Sequence, residues 1–204
     1  MPRRYAYIDG DIIIHKACFA AELEIYWGDG DWTLSLNEGQ ARSIAYEMID
    51  QLRLDLTLKR NQLFMCFSNG MSFRKKFFPE YKANRKKMRK PLGLKNLRRW
   101  LMLEFKNLLL RDLEADDVIG IYMTRPNNTT KIAVSTDKDM KTIPGVHWNL
   151  DKQELVEISE GEADYNFYLQ VLTGDSTDNY QGCPGVGPKT AEKILADINP
   201  NEYW

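Results

Sequence analysis

The sequence is poor in the residues that serve most often as nucleophiles and soft metal ligands: 3 cysteines and 2 histidines in 204 residues. Cys18, Cys66 and Cys183 show no paired spacing and have no histidine beside them. That argues against a disulfide framework and a zinc site, and fits a reducing cytoplasm. His15 falls in a helical pattern and His147 in a strand pattern, so both read as structural, and no Ser/His/Asp or Cys/His arrangement competes. No apolar run approaches the roughly 18 residues of a membrane span. The start, Met1-Pro2-Arg3-Arg4, lacks the apolar stretch of a secretory leader. A protein that neither crosses a membrane nor is exported is expected.

What is present begins with a hydrophobic fraction of 43%, enough for one packed domain, or one domain with a small annex. The formal net charge of -1 hides a strong asymmetry. Residues 73–106 hold thirteen Lys/Arg against Glu80 and Glu104 alone, a local excess of +11 that leaves -12 for the rest. A solvated helix face intersperses both signs, so an anionic polymer, nucleic acid first, is the natural partner. Phe73, Phe77, Phe78, Tyr81 and Trp100 interleave the cations, and Pro79 and Pro91-Leu92-Gly93 break the segment into short helical pieces. A connection this long has a task, and a mobile basic arch or lid is expected.

Along the rest of the chain, residues 5–8 form a β-type run ending at Asp9-Gly10-Asp11. Residues 12–24 read as a helix, with Asp11 either its N-cap or a metal contact. Residues 27–32 (Trp-Gly-Asp-Gly-Asp-Trp) read as the turn of a small hairpin and lack the spaced acids of a calcium loop. Ala41, Ile44, Ala45, Met48, Ile49, Leu52 and Leu56 recur at helical spacing, which is core packing. Residues 62–67 form a second buried strand ending at Ser68-Asn69-Gly70. Residues 113–119 open a helix, and residues 131–135 form a third strand ending at Thr136-Asp137-Lys138-Asp139. Short strands at 146–150 and 154–158 precede a helix at 162–173. The alternation predicts an α/β fold, a mainly parallel central sheet flanked by helices on both faces.

In such a sheet Asp9, Asp137 and Asp139 come from strand ends on one edge, where open α/β sheets bind ligands. Glu114, Asp116 and Asp117 join from a helix N-terminus. Acids in a first turn are favoured by the helix dipole, but three within four positions exceed what capping needs. Asp175 and Asp178 come from the loop after the 162–173 helix. Eight converging carboxylates repel one another unless cations intervene. Oxygen-only ligands select Mg²⁺ or Mn²⁺, and two such ions suit in-line hydrolysis of a phosphodiester. Lys82 and Arg85 are candidates for offsetting charge on the scissile phosphate, or are plain phosphate contacts. Downstream, Pro184-Gly185-Val186-Gly187 makes a tight turn into a helix, whose first N–H groups are suited to a phosphate.

These pieces together resemble the 5′-nuclease, or flap-endonuclease, superfamily, and most closely the gene 6-type 5′→3′ exonucleases of T-odd bacteriophages. The motifs run in family order over residues 5–195: Ile8-Asp9-Gly10-Asp11, Phe73-Arg74-Lys75, Tyr81-Lys82-Ala83-Asn84-Arg85-Lys86, Lys90-Pro91-Leu92-Gly93, Glu114-Ala115-Asp116-Asp117, Ser135-Thr136-Asp137-Lys138-Asp139 with Lys141-Thr142-Ile143-Pro144, and Gly174-Asp175-Ser176-Thr177-Asp178. The resemblance implies a PIN-like catalytic core over residues 1–160 with the arch, 73–106, inserted, and a helix–hairpin–helix region over 161–204. It implies Mg²⁺-dependent 5′→3′ hydrolysis of duplex DNA, and of RNA in RNA–DNA hybrids, in the cytoplasm of a phage-infected bacterium. Asp9, Glu114 and Asp116 match the first metal cluster. Asp137, Asp139, Asp175 and Asp178 match the second, with Asp117 acting through water. Lys82 and Arg85 match the arch's catalytic cations. Arg74, Lys75 and Lys86 are further DNA contacts, and Gly185, Gly187, Lys189 and Thr190 belong to the hairpin that grips duplex backbone, with a K⁺ ion. The runner-up activity is a structure-specific 5′-flap endonuclease, which the shortness of the arch disfavours. A third reading is a DNA-binding protein that does not cut.

Two departures stand out. The family has an Asp just after the second strand, where this chain offers Ser68-Asn69. Asn69 is the favoured match, and its amide oxygen brings no charge. The phage relatives also run on past the position of Trp204, so a truncated chain is one reading of the end.

Overall fold

The computed structural model describes residues 3–196; the side chains of Lys86 and Lys87 lie outside this description, as does Trp204. The chain forms β1 (Arg3–Asp9), α1 (Gly10–Ala20), β2 (Glu22–Gly28), β3 (Asp31–Leu36), α2 (Glu38–Asp55), β4 (Leu63–Cys66), α3 (Arg74–Phe77), a 3₁₀ turn at Ala83–Lys87, α4 (Leu94–Glu104) and β5 (Asn107–Leu108). It continues with α5 (Ala115–Thr124), β6 (Thr129–Ser135), a 3₁₀ turn at Lys138–Thr142, β7 (Gly145–Asn149), β8 (Glu154–Ile158), α6 (Glu160–Thr173) and α7 (Pro188–Ala196).

Six strands form one sheet in the order β5-β4-β1-β6-β7-β8, all parallel except the edge pair β7/β8. Strand residues alternate between its two faces. Ala6 and Ile8, Leu63 and Met65, and Ile132 and Val134 pack in one cluster with residues of α1, α2 and α4. Tyr7, Cys66 and Ala133 pack in the other with Val118, Ile119 and Met123 of α5. Both faces are therefore covered, as a parallel sheet requires. β1 sits between β4 and β6, and Asp9 pairs in register with Cys66. The chain leaves the carboxyl end of β1 for β4 on one side and β6 on the other. That is a topological switch point, where a crevice opens beyond the strand ends.

Two expectations are corrected. The helix predicted over residues 12–24 stops at Ala20, because the Ala21 N–H folds back on Ala17 and Cys18 and Glu22 pairs with Leu36 in the β2/β3 hairpin. From Glu22 the polar and apolar residues alternate at strand period, and the Tyr26 and Trp32 rings meet across the hairpin, tilted, with centroids 4.5 Å apart. Asp11 is not the cap of α1. Asp9 is: its Oδ1 accepts from the N–H groups of Asp11 and Ile12, both at 3.1 Å. Gly10 has a packing reason, since a Cβ there would lie 2.2 Å from the Phe67 ring.

Candidate active site

Asp9 stands at the carboxyl end of β1, at the switch point. It is 7% exposed, with Oδ1 turned to α1 and Oδ2 3.4 Å from the Ser135 hydroxyl. Burial, reinforced by the charges of Asp11, Asp116 and Asp137, pushes its carboxyl up to about 7 against the opposing pull of the Ile12 N–H. Asp11 turns away from the helix and accepts from the Ser68 N–H at 3.0 Å, tying the end of β1 to the end of β4.

The second contribution is the N-terminus of α5. Glu114 and Asp117 cap it reciprocally, with the Asp117 Oδ2 accepting from the Glu114 N–H at 3.0 Å. Each of Glu114, Asp116 and Asp117 offers an oxygen within 4.8 Å of the others, the one such group of potential metal ligands among the described residues. Burial, then Asp117 and Glu114, raise Asp116 to about 6. Three cations or donors from the arch reach into the same group. Arg74 binds Asp117 through two bonds of 2.8 and 2.6 Å, Lys82 Nζ lies 2.8 Å from Glu114 Oε1, and the Tyr81 hydroxyl donates to Glu114 Oε2 at 2.6 Å.

The third contribution comes from Asp137 and Asp139 after β6 and from the 174–182 loop. Asp139 is raised to about 6 by burial, then by Asp137 and Asp175. Asp175 is driven the other way: burial pushes it up, but bonds from Lys138 and the Thr177 N–H outweigh that and leave it lowered. The loop is closed by paired Asp175–Tyr180 backbone bonds of 2.7 and 2.8 Å. Where it closes, Gly174 and Gly182 approach so closely that a Cβ on Gly182, at φ +68, would sit 2.4 Å from the Gly174 nitrogen. Gly182→Ala is therefore expected to cost about 2–4 kcal/mol, from left-handed strain and a backbone clash together. At Gly185, φ +77 but with nothing within 4 Å, alanine is expected to cost only about 1–2 kcal/mol. Urea unfolding of both variants checks the difference, and equal costs would refute the close approach.

The base of the arch is stapled to this loop. Asn84 donates to the Ser176 carbonyl at 2.6 Å, Arg85 to the Thr177 carbonyl at 3.2 Å and the Asp178 carboxylate at 2.9 Å, and Asn179 to the Glu80 carbonyl at 3.0 Å. Lys82, in the left-handed region at φ 55, gives its N–H to the Asp178 carbonyl at 3.0 Å. Two segments about ninety residues apart in sequence thus become one wall of the crevice.

The donor set fits hard divalent cations: it is all oxygen, and burial, reinforced by neighbouring carboxylates, raises Asp9, Asp116 and Asp139. Asp9, Asp116 and Asp139 stabilise the fold only while protonated, fully below the unfolded range near 4, and this contribution is lost as pH rises through about 6 to 7. A divalent cation bound there would take the place of the lost protons. Divalent-cation binding is therefore expected to release protons between pH 6 and 7 and none near pH 9, read by titration calorimetry in buffers of different ionisation enthalpy. Buffer-independent heats at pH 6.5 would contradict this.

The family model described as 5′-3′ exonuclease, N-terminal resolvase-like domain, matches residues 4–165. The chain belongs to this family. The exodeoxyribonuclease of Enterobacteria phage T3 is 32% identical over 202 residues, covering 93% of this chain and 65% of the phage protein. The exonuclease of Escherichia phage T7 is 32% identical over 200 residues, 92% of this chain and 65% of that protein. The chain thus spans just under two thirds of either relative. A solved structure of the T5 5′-exonuclease with bound zinc superposes at TM-score 0.72 with 18% identity, covering 96% of this chain and 75% of that one.

Several side chains around the crevice are placed there only by the tertiary fold. Tyr81 stands in a quoted motif and among the aromatics that interleave the arch cations, but its hydroxyl bond to Glu114 depends on the arch folding back. Lys138 and Asn84 also stand in those motifs, but nothing in their spacing points to their partners, Asp175 at 3.1 Å and the Ser176 carbonyl, and Asn179 carries no such signal either. Ser68 serves local structure, its hydroxyl accepting from the Ala115 N–H at 3.1 Å, while Asn69 gives its N–H to the Leu113 carbonyl. Arg74, expected on DNA, lies inside the carboxylate group. His15 and His147 are held below the usual histidine range by burial, and the His147 Nε2 bonds the Ile143 carbonyl at 2.7 Å.

Proposed function

We propose that the chain is the nuclease part of a 5′→3′ exonuclease that hydrolyses duplex DNA from a 5′ end, and RNA strands of hybrids, in a phage-infected bacterium. The observation that carries this reading is the carboxylate crevice at the switch point, overlaid by arch cations. Asp9, Glu114 and Asp116 would hold one Mg²⁺ or Mn²⁺ ion; Asp137, Asp139, Asp175 and Asp178 would hold a second, with Asp117 acting through water. Bound there, the ions supply an activated water and a counter-charge for the leaving oxygen. Lys82 and Arg85 bring positive charge to the phosphate from the arch side, and their staple to the 174–182 loop restricts where that charge lies. Arg74, Lys75 and Lys86 contact the DNA backbone; Arg74 does so by exchanging its bonds to Asp117 for a phosphate.

In this reading residues 1–160, with the arch, cut, and residues 161–204 hold the duplex. Gly185, Gly187, Lys189 and Thr190 are exposed at the start of α7, and nothing lies within 4 Å of a Cβ at either glycine, which leaves room for a backbone phosphate and a K⁺ ion. Incubation of 5′-labelled duplex, 5′-flap and hybrid substrates with Mg²⁺ tests the proposal. Mononucleotides from the duplex are expected. Flap-length oligomers would identify a flap endonuclease instead, and no cleavage with Mg²⁺ or Mn²⁺ would leave a DNA-binding protein.

A further inference from the structure

Between α1 and α2 the chain puts out the β2/β3 hairpin, which pairs with no other strand among the described residues. A two-stranded hairpin is at best marginally stable alone, and this one leaves Leu23, Ile25, Tyr26, Trp27, Trp32 and Leu34 all exposed, Tyr26 at 54% and Trp32 at 61%. Residues 22–36 also hold Glu22, Glu24, Asp29 and Asp31 and no Lys or Arg. The cross-strand pairs Glu22–Leu36, Glu24–Leu34 and Tyr26–Trp32 put these six side chains on one face. Trp27 lies on the opposite face, its indole N–H donating to the Thr33 hydroxyl at 2.7 Å.

The root of the first face already holds an arginine. Arg89 of the arch gives Glu22 two bonds of 2.7 Å, and its guanidinium lies over the Phe19 ring at 5.0 Å. The next two rungs, Glu24 with Leu34 and Tyr26 with Trp32, repeat this pairing of acid and aromatic further out. Among the described residues no hydrogen bond or ion pair engages Glu24, and no cation lies over either ring. The four acids disfavour a nucleic-acid backbone, and equally the hairpin of a second copy, since like charges would meet in each case. What complements the face is a cationic segment with apolar residues beside the charge.

We propose that this hairpin face docks a protein partner through an extended segment that carries arginine between apolar residues, continuing the row that Arg89 begins. A flat guanidinium stacks on an aromatic ring while its N–H groups bind a carboxylate, which fits Glu24 beside Tyr26 and Trp32. Apolar side chains of the same segment cover Leu34, and its backbone adds to a free strand edge of the hairpin. The inference goes beyond the nuclease reading and uses none of its carboxylates.

The test uses the whole chain and a blocked peptide of alternating Arg and Val, beside the same peptide with citrulline, which keeps the shape of arginine without its charge. The Trp32 indole N–H signal, assigned by Trp32→Phe, is followed by NMR in Mg²⁺ buffer. The Arg peptide is expected to move it while moving the Trp27 signal of the other face little. The citrulline peptide is expected to bind about 10-fold more weakly. Tyr26→Ser, read at the same signal, is expected to weaken the Arg peptide about 10-fold, and Glu24→Gln about 2–5-fold. Both side chains are exposed, so both variants are expected to keep the wild-type melting temperature. An unmoved Trp32 signal, equal binding of the citrulline peptide, or full affinity in both variants would overturn the proposal. An oligothymidylate that moves Trp32 as strongly would make the face a nucleic-acid platform, and a dimer in sedimentation that Tyr26→Ser abolishes would give it to a second copy. Either result would overturn the docking assignment as well.

Discussion

Asp116→Asn is expected to lower cleavage of 5′-labelled duplex by at least about 10³-fold, the loss of roughly 4 kcal/mol of cation-supplied stabilisation. The same change is expected to raise the melting temperature of chelator-treated protein at pH 8. The two signs follow from one cause. Burial and the charges of Asp117 and Glu114 hold Asp116 up at about 6, so at pH 8 its ionised form costs the folded chain free energy. Asn keeps the shape and can still accept from the Asp117 N–H, now 2.8 Å from Asp116 Oδ1. It removes only the charge, which is what a divalent cation needs and what the metal-free fold resists. Single-turnover cleavage and thermal melting read the two effects. A variant that loses activity and stability together would show Asp116 to be a structural residue and not a ligand.

Lys82→Ala is expected to lower kcat by about 10²–10³-fold, in the range for removing one charged group aimed at a transition state. It is also expected to tighten Mg²⁺ binding. The Lys82 ammonium is 2.8 Å from Glu114 and 3.7 Å from Asp178, with only 17% of its side chain exposed. It is thus a resident positive charge between the two carboxylate groups and competes with a divalent cation there. A lysine needed only to hold the arch down would give slower cutting with weaker metal binding. Calorimetric Mg²⁺ affinity beside single-turnover rate separates the cases, and weaker Mg²⁺ binding by Lys82→Ala would sink the catalytic assignment. The backbone bond from Lys82 to Asp178 survives the substitution, so the arch base keeps its anchor.

Much of the frame was legible because it rests on local periodicity. Strands ending at Asp9 and Ser135 and an acidic helix start at Glu114 are visible as apolar runs punctuated by acids. The parallel sheet follows from their alternation with helices. Where two local signals compete, the sequence misleads. Residues 21–28 carry enough apolar side chains to extend α1, and only pairing with residues 31–36 makes them a strand. Asp9 and Asp11 are both suitable caps, and the choice falls to Asp9 because Asp11 is drawn across to the Ser68 N–H just beyond β4, a residue distant in sequence.

By itself, the sequence determined the charge segregation, the order of the elements and the set of carboxylates, since each depends on residue type and near-neighbour spacing. Only the tertiary structure decided which of those groups meet. It joined the arch to the 174–182 loop through Asn84, Arg85 and Asn179, and put Arg74, Tyr81 and Lys82 among the acids they offset. The physical reason is that hydrogen bonds and charge interactions act over a few ångströms between residues tens of positions apart, and no periodicity along the chain encodes which distant partner a side chain will meet.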